Sequence, residues 1–107
     1  MKRGDFYRVC KPAGDAKLYR IFIVVSRQTL LNSKFSTVIC APVFTGGEGL
    51  STQVPVGVSE GLKHSSWIMC DNLVSVPKGD LSQFLGALQR SRFNELDHAL
   101  KMALELD

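Results

Sequence analysis

Leu18-Tyr19-Arg20-Ile21-Phe22-Ile23-Val24-Val25-Ser26 is almost unbroken in β-branched and aromatic residues, and it decides the fold class. A half-buried strand alternates apolar with polar positions, whereas here Ile21 to Val25 is apolar throughout, as in a strand covered on both faces. The run is far shorter than the roughly 20 apolar residues of a membrane-spanning helix. It therefore reads as the central strand of a sheet, with material packed on either side.

Towards the N-terminus, Asp5 to Cys10 mixes aromatic and β-branched residues and reads as a first strand, ended by the turn cluster Lys11-Pro12-Ala13-Gly14-Asp15. On the other side, Gln28 to Asn32 allows one helical turn, and Ser36 to Phe44 reads as a further strand. Pro42 cannot donate to a ladder, which predicts an edge or a bulge there. Thr45-Gly46-Gly47-Glu48-Gly49 has three glycines in four positions and reads as a mobile loop. Thr52 to Val58 alternates Val54, Val56 and Val58 with Gln53, Pro55 and Gly57, the pattern of a short edge strand with one apolar face.

After the turn Gly61 to Ser65, two short strand pieces follow, Ser66 to Asp71 and Leu73 to Val76, closed by Pro77 to Asp80. Phe84 to Leu88 fits strand and helix equally. Ser91 is positioned to cap a helix in which Phe93, Leu96, Leu100, Ala103 and Leu104 recur on one face. Several short strands and one terminal amphipathic helix give an α+β, mainly β chain: a small curled sheet or barrel whose open side the helix covers. Residues 1–107 are read as one domain, since 107 residues leave room for a single core.

Apolar residues make up 45% and charged residues 21% of the chain, a globular rather than a disordered balance. A net charge of +3 favours an acidic partner without identifying one. Met1 to Asp5 leads into Phe6-Tyr7-Arg8-Val9 and not into an apolar signal segment, so the expected location is the cytoplasm, with no membrane partner. Cys10, Cys40 and Cys70 form no CxxC pair, and each lies in or beside a strand; they read as buried thiols. No metal-ligand cluster, phosphate-binding glycine motif or nucleophile–base spacing is present, and no metal or cofactor is implied.

The order of several short segments resembles the MazF/PemK toxins of bacterial toxin–antitoxin systems. Arg3-Gly4-Asp5-Phe6-Tyr7 is similar to their opening strand, Arg20 followed by Ile21 to Ser26 to their second, and Thr37-Val38-Ile39-Cys40-Ala41-Pro42-Val43 to their third. Cys70-Asp71-Asn72 resembles their Asp-Gln turn. Tyr19-Arg20-Ile21-Phe22, Ser66-Trp67-Ile68-Met69 and Ser75-Val76-Pro77 also look like stretches of CcdB, the gyrase-poisoning relative. The resemblance implies a small SH3-like β-barrel with a C-terminal amphipathic helix, a homodimer, and a cognate antitoxin. It further implies a metal-independent endoribonuclease that cuts single-stranded mRNA through attack by the substrate's 2′-hydroxyl. The alternative is a CcdB-like protein that binds DNA gyrase, or a binding member of the superfamily with impaired catalysis.

Such a reaction needs a proton acceptor for the 2′-hydroxyl, a cation for the phosphate and an acid for the leaving oxygen. By resemblance the catalytic candidates are Arg20, whose guanidinium suits a phosphate of rising charge, Asp71 as acid or base, and Thr45 beside the glycine loop. Ile21, Phe44, Asp15 and Met69 stand where family members carry proline, threonine, histidine and arginine. The expected RNA-binding set is Lys17, Arg27, Phe44, Gln53, His64 and Asn72. Phe44 and Trp67 are candidates for stacking on bases, and Lys34, Lys63 and Lys78 for lining a groove.

Overall fold

The computed structural model describes residues 1–10 and 19–107, with the backbone only for Cys10 and Tyr19. Strands β1 (Asp5–Cys10), β2 (Tyr19–Val24), β3 (Thr37–Phe44), β4 (Gln53–Val56), β5 (Ser66–Met69), β6 (Val74–Pro77) and β7 (Gln83–Ala87) form one antiparallel sheet. Its order is β4-β5-β3-β2-β1-β7, with β6 also paired to β3. Helix α1 (Gln28–Leu31) follows β2, and helix α2 (Phe93–Leu104) ends the chain. Phe84, ambiguous in the sequence, lies in the edge strand β7. The turn cluster at Lys11 to Asp15 falls outside the described residues.

Strand β2 is central, and its continuous apolar run has the meaning expected of it. Ile23 joins one core with Phe6, Val43, Val54 and Ile68, onto which α2 lays Leu96 and Ala99. Phe22 and Val24 point the other way, into a second core of Tyr7, Val38, Cys40, Val76, Leu81 and Leu31 of α1. Both faces are therefore occupied along these residues.

Pro42 lies within the central strand β3 and not at an edge. It pairs with Phe22 on the β2 side, while on the far side β3 changes partner from β6 at Thr37–Cys40 to β5 at Val43–Phe44. The proline falls at that change of partner, where the ladder is interrupted in any case. The alternating segment around Val54 does form the edge strand β4.

The chain leaving β4 turns at Val58–Glu60 and returns against β7, at the opposite edge of the sheet. Gly61, at φ +92°, and Gly86 make that approach possible, since a side chain on either would overlap the backbone of Leu85 or Glu60. This crossing curls the sheet into a half-barrel.

The helix differs from expectation at both ends. A 3-10 turn at Arg90–Arg92 precedes α2, so Ser91 lies inside that turn, and Arg92 precedes the helix without a side-chain cap. Leu104 is 54% exposed, whereas Ala103 beside it packs partly buried against the core. At its start α2 is fastened by the N-terminal segment: Arg3 donates to Asp97 at 2.7 Å and to the Val25 carbonyl at 3.1 Å, with its guanidinium over the Phe93 ring. Cys40 and Cys70 are buried, as expected of apolar thiols, and burial pushes the Cys40 thiol up to about 12.

Candidate functional site

Strand register places a set of chemically useful side chains on one face. Arg20 lies two residues before Phe22 and Phe44 two after Pro42, so both share the face of the second core. Trp67 pairs with Phe44, Pro55 with Trp67, and Gln53 with Met69, which continues the same face across β5 and β4. Whereas Phe22, Val24, Val38 and Cys40 are buried there, Arg20 and Pro55 are exposed and Phe44, Trp67, Met69 and Gln53 only partly covered.

The Arg20 guanidinium stands 5.5 Å from the centre of the Phe44 ring, a cation–π contact. Among the described residues no carboxylate neutralises it. A cation with solvent on one side and a ring beneath it is suited to a phosphate whose neighbouring base is planar.

The glycine loop is organised rather than loose. The Gln53 side-chain oxygen accepts from the backbone N–H groups of Glu48 at 2.8 Å, Gly49 at 3.1 Å and Leu50 at 3.4 Å. Gly47 lies directly against the pyrrole side of Trp67, so closely that any side chain there would overlap the ring. Gln53 thus spends its acceptor on the loop, and Thr45 sits exposed where β3 enters it.

Asp71 lies in the 3-10 turn Cys70–Asn72 that follows β5, exposed to solvent with Asn72 beside it. The Thr52 hydroxyl donates to its carboxylate at 2.7 Å. Burial, and after it the Asp71 charge, pushes the neighbouring Cys70 thiol up to about 11. Asp71 lies two strands from β2 and past the end of β5, in the 3-10 turn beyond Met69, whereas Arg20 lies level with Phe44 and Trp67. No direct contact joins the two, and a ligand touching both must extend across Phe44 and Met69.

Other candidates lie elsewhere. Arg27 is at the opposite end of β2 from Arg20, and its carbonyl receives the first turn of α1. His64 lies in the turn before β5, exposed, with its carbonyl accepting from Ser66. The Lys78 ammonium closes the end of α1 by donating to the carbonyls of Leu30, Leu31 and Ser33. Lys34 and Lys63 are exposed. Lys17 and Asp15 are outside the described residues.

Two features had no local sequence signal. One is Thr52, which holds Asp71 from the turn before β4. The other is a depression of about 490 Å³ at the Trp67 end of the strip, lined by Pro55, Ser59, Ser65, Trp67, Gln89 and Arg92 among others. Arg92 donates to the Pro55 carbonyl at 2.6 Å and to both Glu95 oxygens, and lies 3.5 Å from the buried Glu60 carboxylate. Glu60 in turn accepts from the Gly57 N–H at 2.7 Å. The hydrogen bond from Arg92 holds the Glu95 carboxyl below its usual range. Among the described residues no three His, Cys, Asp or Glu side chains come together as a metal site.

Comparison with known proteins gives a consistent picture. Residues 2–104 match the family described as PemK-like, MazF-like toxin of type II toxin-antitoxin system. Endoribonuclease MazF3 of Mycobacterium tuberculosis is 32% identical over 85 residues, 79% of this chain and 82% of that protein. Among solved structures, the Mycobacterium tuberculosis toxin MazF-mt6 superposes with a TM-score of 0.83 at 28% identity, covering 98% of this chain and 99% of its own. A chain of a MazE-MazF crystal structure from Deinococcus radiodurans shares the fold, with a TM-score of 0.78 at 17% identity over 100% of this chain and 97% of that one.

Proposed function

This chain belongs to the PemK-like, MazF-like toxin family of type II toxin–antitoxin systems, and from that we propose that it is an endoribonuclease toxin that cleaves single-stranded mRNA without a metal. Residues 1–107 act as one toxin domain. The observation that carries the reading is Arg20: a guanidinium without a carboxylate partner among the described residues, set over an aromatic ring on the uncovered half of a sheet face. That is a phosphate-binding arrangement with a stacking surface beside it.

In this mechanism the 2′-hydroxyl loses its proton to the Asp71 carboxylate, which Thr52 holds from behind, and its oxygen attacks the adjacent phosphorus. Charge builds on the phosphoryl oxygens and Arg20 stabilises it. The bond to the 5′-oxygen then breaks, and that oxygen takes up a proton from solvent, leaving a 2′,3′-cyclic phosphate and a 5′-hydroxyl. To serve one phosphate, Arg20 and Asp71 turn their side chains toward the middle of the strip, since a base must come within hydrogen-bond reach of the proton it removes. Thr45, at the mouth of the loop, is a further phosphate ligand, and Asn72 an RNA contact beside Asp71.

The toxin acts as a homodimer in the cytoplasm and is silenced by a cognate antitoxin covering the same strip. Met102, Leu104 and Leu106, exposed at the end of α2, support self-association, and no helix among the described residues is long and apolar enough to cross a membrane. Incubation of purified protein with mixed single-stranded RNA and EDTA tests the reading. Fragments ending in cyclic phosphate are expected, and RNA left intact would overturn cleavage and turn attention to gyrase binding.

A further inference from the structure

We propose that the depression beside Trp67 receives one unpaired base of the RNA strand whose backbone Arg20 grips, which makes it a site of sequence preference. The inference rests on the RNA reading above and adds a subsite to it.

The first support is continuity. Trp67 is the cross-strand partner of Phe44, and Phe44 lies under Arg20, so a strand held at Arg20 passes the indole within one nucleotide step or so. The second is rigidity. Gly47 is packed on the pyrrole side of the indole and Gly49 lies near its far ring, while Gln53 fixes the loop that carries them. The ring is thereby held from the loop side, and its remaining surface helps to line the depression. A fixed aromatic plane costs little further ordering when a base stacks on it.

The chemistry of the lining selects among occupants. Arg92 has its charge matched by Glu60 and Glu95, so the depression is a poor phosphate site. A peptide strand is also disfavoured, because the β4 edge is already used: Pro55 has no N–H, its carbonyl is taken by Arg92, and the Gly57 N–H by Glu60. What remains is neutral and mixed. Gln89 is exposed, and its amide has no partner among the described residues; Ser59 and Ser65 add hydroxyls at the rim. An amide that both donates and accepts, beside an aromatic plane, matches the edge and face of a nucleobase. About 490 Å³ is room for one base with its ribose.

Trp67 is the chain's only tryptophan, so its fluorescence reports on this end of the strip, and Gln89→Ala separates the depression from the strip beside it. The probe is a labelled, mixed-sequence, single-stranded RNA with 2′-O-methyl groups, which binds but lacks the attacking hydroxyl. Saturable quenching of Trp67 emission that tracks the anisotropy of the label is expected. Gln89→Ala should change the ranking of homopolymeric probes by about 5-fold or more, within the range that a stacked and hydrogen-bonded base contributes. Trp67→Phe, which keeps an aromatic plane in place, should weaken binding less than Trp67→Leu.

Binding with unchanged Trp67 emission, or an unchanged ranking in Gln89→Ala, would overturn the subsite while leaving cleavage at Arg20 intact. Quenching by an antitoxin-derived peptide but not by RNA would overturn it as well. A protein that neither binds nor cuts RNA would overturn the underlying functional reading together with the subsite.

Discussion

Along β2 and β3 a single sheet face is used in two opposite ways. At one end Phe22, Val24, Val38 and Cys40 are sealed by α1, β6 and Leu81 into a core. Four residues from Val24, on the same side of the same strand, Arg20 is exposed over Phe44, with Trp67, Met69 and Gln53 beyond it. Strand geometry is common to both halves. The covering differs, and the half left uncovered is where the charged and aromatic groups collect. A site here is a stretch of sheet face that the fold does not need for its own core.

The contrast can be broken by substitution. Phe22→Ala, in the sealed half, should cost about 3–5 kcal/mol of unfolding free energy, as loss of a buried aromatic side chain does, measured by urea denaturation. In the open half, Arg20→Ala should leave that stability within about 0.5 kcal/mol while cutting the rate on single-stranded RNA by about 10²–10³-fold. If Arg20→Ala instead unfolded the protein, the two halves would not be distinct.

Smaller effects sharpen the comparison. Gln53→Leu removes the acceptor of three loop N–H groups, with a stability cost of about 1 kcal/mol and faster hydrogen exchange at Glu48 to Leu50. Asp71→Asn should lower kcat with little change in KM; a change in KM alone would make Asp71 a binding residue.

The buried thiols give a pH signature to the sealed half and the turn beside it. Cys40 at about 12 and Cys70 at about 11 lie above the unfolded value of 9.0. The unfolded chain thus gives up these protons first as pH rises. Their contribution is whole below pH 9.0 and fades through about 11 to 12, so stability should fall across that window. Cys40→Ala should flatten the slope, and an unchanged slope would mean that Cys40 is not buried in solution.

Most of this fold could be read from the sequence because its signals are local. Ile21 to Val25 marked the doubly covered strand, Val54 and Val56 the edge, and the spacing of Leu96 and Leu100 the helix. Pro42 misled, since whether a proline sits at an edge depends on which strands lie opposite, and the switch from β6 to β5 has no signature within β3. Ser91 misled because a 3-10 turn and a cap draw on the same residue types. In the site, resemblance singled out Arg20 and Asp71, and the expected RNA-binding set included Phe44 and Gln53. Register then separated Arg27 from Arg20 by the length of a strand. Thr52 on Asp71, and Glu60 with Arg92, are contacts between residues distant in sequence and left no trace in any short window.

The account stands or falls on where along β2 the chemistry sits, and one pair of rates tests this directly. Arg20→Ala and Arg27→Ala, measured side by side on the same single-stranded RNA in EDTA, place one lost guanidinium at each end of the strand. A fall of about 10²-fold or more for Arg20→Ala, with Arg27→Ala within about twofold of the parent, is the predicted result. Equal losses, or the larger loss at Arg27, would contradict it.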